Sequence, residues 1–126
     1  MAMYDCEVFG YVQYNAELSY TELIECEEML KERLPDVLHE QDAVHLDVVG
    51  LDDGLRIQFV LAEYDREHLH TICDAIAPLL PEKTTSRMLA VQKLLEKAHL
   101  FLFEDNGWNE SAFNITQRIF DSTQHA

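Results

Sequence analysis

Apolar positions recur along this chain with two periods, and each switch between them marks an element boundary. CEVFGYVQY, Cys6 to Tyr14, is rich in aromatic and branched residues and alternates as a strand does. Val8, Gly10 and Val12 point one way and Phe9, Tyr11 and Gln13 the other. The period lengthens after Ser19, where Ser-Tyr-Thr-Glu forms a capping box with Glu22. Leu23, Cys26, Leu30 and Leu34 then recur at helical spacing. Pro35 is expected to end or kink this helix at Leu34, because the residue before a proline avoids α geometry.

AVHLDVVGL, Asp-Asp-Gly and LRIQFVLAEY predict an antiparallel hairpin. A two-residue turn at Asp53-Gly54 sets Asp52 against Leu55, Val48 against Phe59 and Leu46 against Leu61. Val44, Leu46 and Val48 then share a face with Ile57, Phe59 and Leu61. His45, Asp47, Val49, Arg56, Gln58 and Val60 occupy the less buried face. Asp65 caps a second helix whose stripe is Leu69, Ile72, Cys73, Ile76 and Leu80, with Pro78 interrupting near its end.

MLAVQKLLEKA, after the linker Pro81 to Ser86, consists of good helix formers with Met88, Val91, Leu95 and Ala98 on one stripe. A third helix is expected there, with a strand over Arg87 to Lys93 as the alternative. The unbroken apolar run His99 to Phe103 suits a strand covered on both faces. Asn106-Gly107 is a strong hairpin signal, so the sheet is extended through Trp108 to Ile115 in preference to a helix from Asn109. In that register Asp105 faces Trp108, Phe101 faces Ala112 and Leu100 faces Phe113. A short helix with Ile119 and Phe120 docking, fraying over residues 117–126, would close the chain.

The expected fold class is α+β: an antiparallel sheet with helices mainly on one face. Its connectivity is read as ferredoxin-like (split βαβ), with a C-terminal hairpin or helix added. At 126 residues and 48% hydrophobic, one domain over residues 1–126 is expected.

Charge then narrows the partners. Twenty-four Asp and Glu against nine Lys and Arg give a net charge of −15, which repels phosphate backbones and anionic membranes. No nucleic-acid or membrane partner is expected, and no apolar run approaches the roughly 20 residues of a membrane span. The absence of a visible secretory signal and three widely spaced cysteines fit reduced thiols in the cytoplasm.

The candidate chemistry is thin. His70 and Cys73 could approach one ion from the same helix, but Cys73 belongs to the apolar stripe and no metal is assigned. His45 and Asp47 share a strand face as an acid/base pair would, yet no nucleophile motif accompanies them. None of the four glycines forms a phosphate-binding loop, so no cofactor is expected. Binding is therefore preferred over catalysis: an acidic interaction or regulatory module, homodimeric or acting on a basic partner as an inhibitor or immunity-type protein does. Its partner-binding residues are Phe9 and Tyr11 on the open sheet face, Glu25, Glu28 and Glu32 on the acidic helix face, and Trp108. The alternative is a small enzyme or ligand-binding protein with a pocket between the sheet and the C-terminal segment, near His45, Asp47, His99 or Trp108.

Overall fold

A computed structural model describes residues 4–93, 97–104 and 107–113. The described elements are β1 (Cys6–Tyr14), α1 (Tyr20–Glu40), β2 (Val44–Gly50), β3 (Gly54–Leu61), α2 (Arg66–Ile76), β4 (Thr84–Gln92), β5 (Ala98–Glu104) and β6 (Gly107–Phe113). A single 3₁₀ turn, Ala77–Leu79, follows α2 and takes up Pro78. The strands form one six-stranded sheet in the order β2-β3-β1-β4-β5-β6, every neighbouring pair antiparallel. The α+β class holds; the sheet is wider than a four-stranded split βαβ unit, because β5 and β6 extend it beyond β4.

Both helices pack on one face. From α1, Cys26, Leu30, Leu34 and Leu38 turn inward; from α2, Leu69, Ile72, Cys73 and Ile76 do so. They meet Val8 and Val12 of β1, the Leu55 to Leu61 alternation of β3, Met88 and Ala90 of β4, and Phe101 and Phe103 of β5. Ser19 caps α1, its Oγ accepting the Glu22 amide at 3.2 Å, and Asp65 caps α2 by accepting the Glu67 amide at 3.0 Å.

The helix α1 does not end at Leu34. It runs through Pro35 to Glu40, because Leu34 and Leu38 are both fully buried and their burial outweighs one missing amide hydrogen bond. It stops in a Schellman arrangement: the Asp42 amide donates to the His39 carbonyl, the Ala43 amide donates to the Leu38 carbonyl, and Asp42 takes the left-handed φ of 65° that the motif needs.

The described part of the expected third helix, Met88 to Gln92, is a strand. Thr84–Gln92 is the strand β4, hydrogen-bonded to β1 on one side and β5 on the other. Ser86, Met88 and Ala90 face the core while Arg87 and Leu89 face outward, so two complete ladders and a buried row outweigh local helix propensity. Leu95, counted on the helical stripe, lies outside the described residues.

Both hairpins close two residues away from the expected register. Val48 lies opposite Ile57, not Phe59, and Gly50 opposite Leu55, with the Leu51 amide donating to the Gly54 carbonyl at 2.8 Å. Gly54 is thus a strand residue without positive φ. It must be glycine there because a Cβ would lie 2.5 Å from the Val12 carbonyl oxygen and 2.6 Å from the Tyr11 ring. In the second hairpin Trp108 lies opposite Phe103, not Asp105, Phe101 faces Glu110, not Ala112, and Leu100 faces Ser111, not Phe113. Asp105 and Asn106 lie outside the described residues, as does the expected helix from Thr116 onward. A slip of two residues keeps every side chain on its face, so hydrophobic alternation alone cannot detect it.

One irregularity does change a face. Between Val44 and Asp47 the β2–β3 register shifts, with His45 at φ 53°, and Val44 pairs with Val60. Leu46 and Val48 pack against the core, but Val44 does not join them.

Candidate functional site

The face of the sheet turned away from the helices is best read as rows across the strands. Pairing places Arg56, Tyr11, Arg87 and Leu102 in one row, Gln58, Phe9, Leu89 and Leu100 in the next, and Val60, Glu7, Val91 and Ala98 in the third. Val91 and Ala98 are buried at one end. Phe9 is 40% and Leu102 44% exposed, large values for residues of this size. A shallow depression of about 320 Å³ lies between Phe9, Tyr11, Arg56, Arg87, Leu89 and Leu100. The expected double covering of His99 to Phe103 is therefore corrected: His99, Phe101 and Phe103 are buried, whereas Leu102 is open.

Tyr11 is held in place from two sides. Its hydroxyl donates to Asp53 Oδ1 at 2.6 Å, a bond that pushes its pKa up, and the Arg87 guanidinium carbon lies 5.1 Å from its ring centroid. The neighbouring Arg56 reaches Asp47 at 3.6 Å. Asp47 is thus engaged with Arg56, while His45 meets the Tyr4 ring edge-on at 5.3 Å, so each has a different neighbour.

On the opposite side of the molecule Glu25, Glu28 and Glu32 are exposed along α1. Two other glutamates of that helix are already paired, Glu22 with Lys83 at 3.3 Å and Glu27 with Lys31 at 3.8 Å.

Trp108 stands apart from Phe9 and Tyr11. It lies on the helix-covered face, half-buried against the core, because its cross-strand neighbour Phe103 and the adjacent Phe101 point under α2. Its Nε1 donates to Asp74 Oδ1 of α2 at 2.9 Å, and its ring lies 4.8 Å from His70 and 5.8 Å from Phe101. Trp108 thus lies on the sheet face opposite Phe9 and Tyr11, together with Phe101 and Phe103.

The same corner assembles polar groups that linear spacing did not suggest. Glu110 of β6 receives the Arg66 guanidinium at 2.5 Å and lies 2.9 Å from His70 Nε2. That ring atom is buried and lies outside hydrogen-bond alignment with the carboxylate. Arg66 and then His70 hold the Glu110 carboxyl down at about 2. Beneath them His99 hydrogen-bonds through Nδ1 to the Tyr64 hydroxyl and stacks on Phe101. Cys73, the other candidate metal ligand, is fully buried with its pKa raised by desolvation, which keeps it a neutral thiol. Among the described residues no three His, Cys, Asp or Glu side chains converge as metal ligands.

The chain matches no family model, no curated protein and no solved structure. The corner at Glu110 docks β6 onto α2: Glu110 binds Arg66, Trp108 binds Asp74, and the aromatic rings fill the space between. A cleft of about 410 Å³ between α1 and β2, lined by Lys31, Pro35, His39, Leu46 and Val48, was not anticipated, because it depends on where the helix crosses the edge strand.

Burial lowers the His99 pKa, so this ring stays neutral in the fold. The unfolded chain then takes up the proton first, and stability falls as pH drops below about 6.5 towards the lower folded value. Urea midpoints measured between about pH 7.5 and pH 5.5 should decline, and His99→Gln should flatten that decline. An equal decline in the variant would assign it to other groups.

Proposed function

We propose that this protein is a non-catalytic interaction module whose contact surface for another protein chain is the open face of its sheet. The observation that carries this reading is the row of Phe9, Leu89 and Leu100, with Leu102 beside it, on a face that neither α1 nor α2 covers. Tyr11, braced between Asp53 and Arg87, adds an ordered aromatic with little entropy left to lose on binding. A basic partner, of the kind an inhibitor or immunity-type protein meets, would be steered by Glu25, Glu28 and Glu32 on the other side.

The order of elements up to β4, strand, helix, hairpin, helix, strand, supports a ferredoxin-like reading of that part, with β5 and β6 as its addition. Three free, buried cysteines are consistent with a reducing compartment such as the cytoplasm. No described helix is long and apolar enough to cross a membrane.

Phe9→Asp tests the surface. Recovery of bound protein from a lysate of the source organism should drop about tenfold, while the unfolding midpoint shifts little, because the side chain is already exposed. Glu25→Lys, Glu28→Lys and Glu32→Lys together should weaken recovery of a basic partner through lost steering, and by less than Phe9→Asp does. If the helix variant loses the partner and Phe9→Asp keeps it, the contact belongs to α1.

A further inference from the structure

The open face is complementary to itself. Along β1 its residues run from an acid, Glu7, through Phe9 to Tyr11, which stands between Arg56 and Arg87 on the neighbouring strands. Two sheets packed face to face can be related by a two-fold axis lying between them, either along the strands or across them. An axis along β1 sets Glu7 against Glu7 and Arg56 against Arg87 of the second copy, so like charges meet. An axis across the strands at Phe9 reverses the strand direction instead. Phe9 then meets Phe9, and Glu7 lies over Tyr11 of the other copy, about one strand spacing of 4.8 Å from Arg56 on one side and Arg87 on the other. The contact is made twice, once in each direction.

Resting on the reading of this face as the contact surface, we propose that its occupant is a second copy of the chain, in an antiparallel sheet-on-sheet dimer in which Glu7 of each copy binds Arg87, with Arg56 beside it, of the other. Among the described residues neither Glu7 nor Arg87 has a salt-bridge partner within the chain, whereas Arg56 has Asp47. Arg87 is thus the cation with most to gain. The depression beside Phe9 and Leu89 supplies the apolar contact that the ion pairs orient. Two chains of charge −15 repel at long range, so the dimer forms best at moderate salt. A Debye length of about 8 Å screens the distant charges more than the contacting ones.

Sedimentation velocity on the full chain over a concentration series tests this. The wild type should dimerise, and Glu7→Arg and Arg87→Glu should each weaken dimerisation at least about tenfold. Circular dichroism should be unchanged, since Arg87 is exposed and Glu7 only half-buried. Mixing the two variants should restore a dimer, because both interfacial pairs are then of opposite sign. A wild type that stays monomeric, single reversals without effect, or a mixture no tighter than its components would each overturn the proposal. If a monomeric wild type still loses a foreign partner on Phe9→Asp, the dimer falls while the interaction-module reading stands.

Discussion

Phe101→Ala should lower the free energy of unfolding by about 3–5 kcal/mol, the range for removing a buried aromatic ring. Phe101 is fully buried on β5, opposite Met88 on one side and Glu110 on the other. Its ring stacks with His99 at 6.1 Å and meets His70 and Trp108 edge-on at 6.1 and 5.8 Å. These neighbours cannot close the cavity, because each is tied elsewhere: His99 to Tyr64, Trp108 to Asp74, and His70 beside Glu110. The cost should therefore fall at the upper part of the range. Chemical denaturation with an unchanged m-value measures it, and a loss below about 1 kcal/mol would mean that the site collapses freely.

Trp108→Ala should cost about 2 kcal/mol, less than Phe101→Ala because the indole is only half-buried. Two contributions are separable. The ring fills the space between β6 and α2, and Nε1 donates to Asp74. Trp108→Phe keeps most of the first and removes the second, so about 1 kcal/mol of the loss should remain. Association through the open face should be unchanged in either variant once the folded fraction is accounted for. Association lost without a loss of stability would return Trp108 to the partner surface.

These two residues also mark how far linear reasoning reaches. The face on which Trp108 lies, shared with Phe101 and Phe103, follows from alternation along two strands joined by Asn106-Gly107. What covers that face does not follow, because it depends on where α2 crosses the sheet. Phe9 and Tyr11 lie on the side that no early helix needs to cover; Trp108 lies on the other side, with Phe101 and Phe103, and only the position of α2 shows which side is covered. The Glu110, Arg66 and His70 corner gave no signal, since Glu110 on β6 stands 40 or more residues from both Arg66 and His70 on α2.

Local sequence determined the periods, the caps at Ser19 and Asp65, the inward stripes of both helices and the face of nearly every strand residue, since these depend on neighbours a few positions away. Tertiary structure decided three things. It made a strand of Thr84–Gln92 despite good helix formers, because β1 and β5 offered ladders on both sides. It set both hairpin registers, the first because only a glycine fits against Val12 and Tyr11 at position 54. It also chose which sheet face remains open, since burial is a property of what packs above a residue and not of the residue itself.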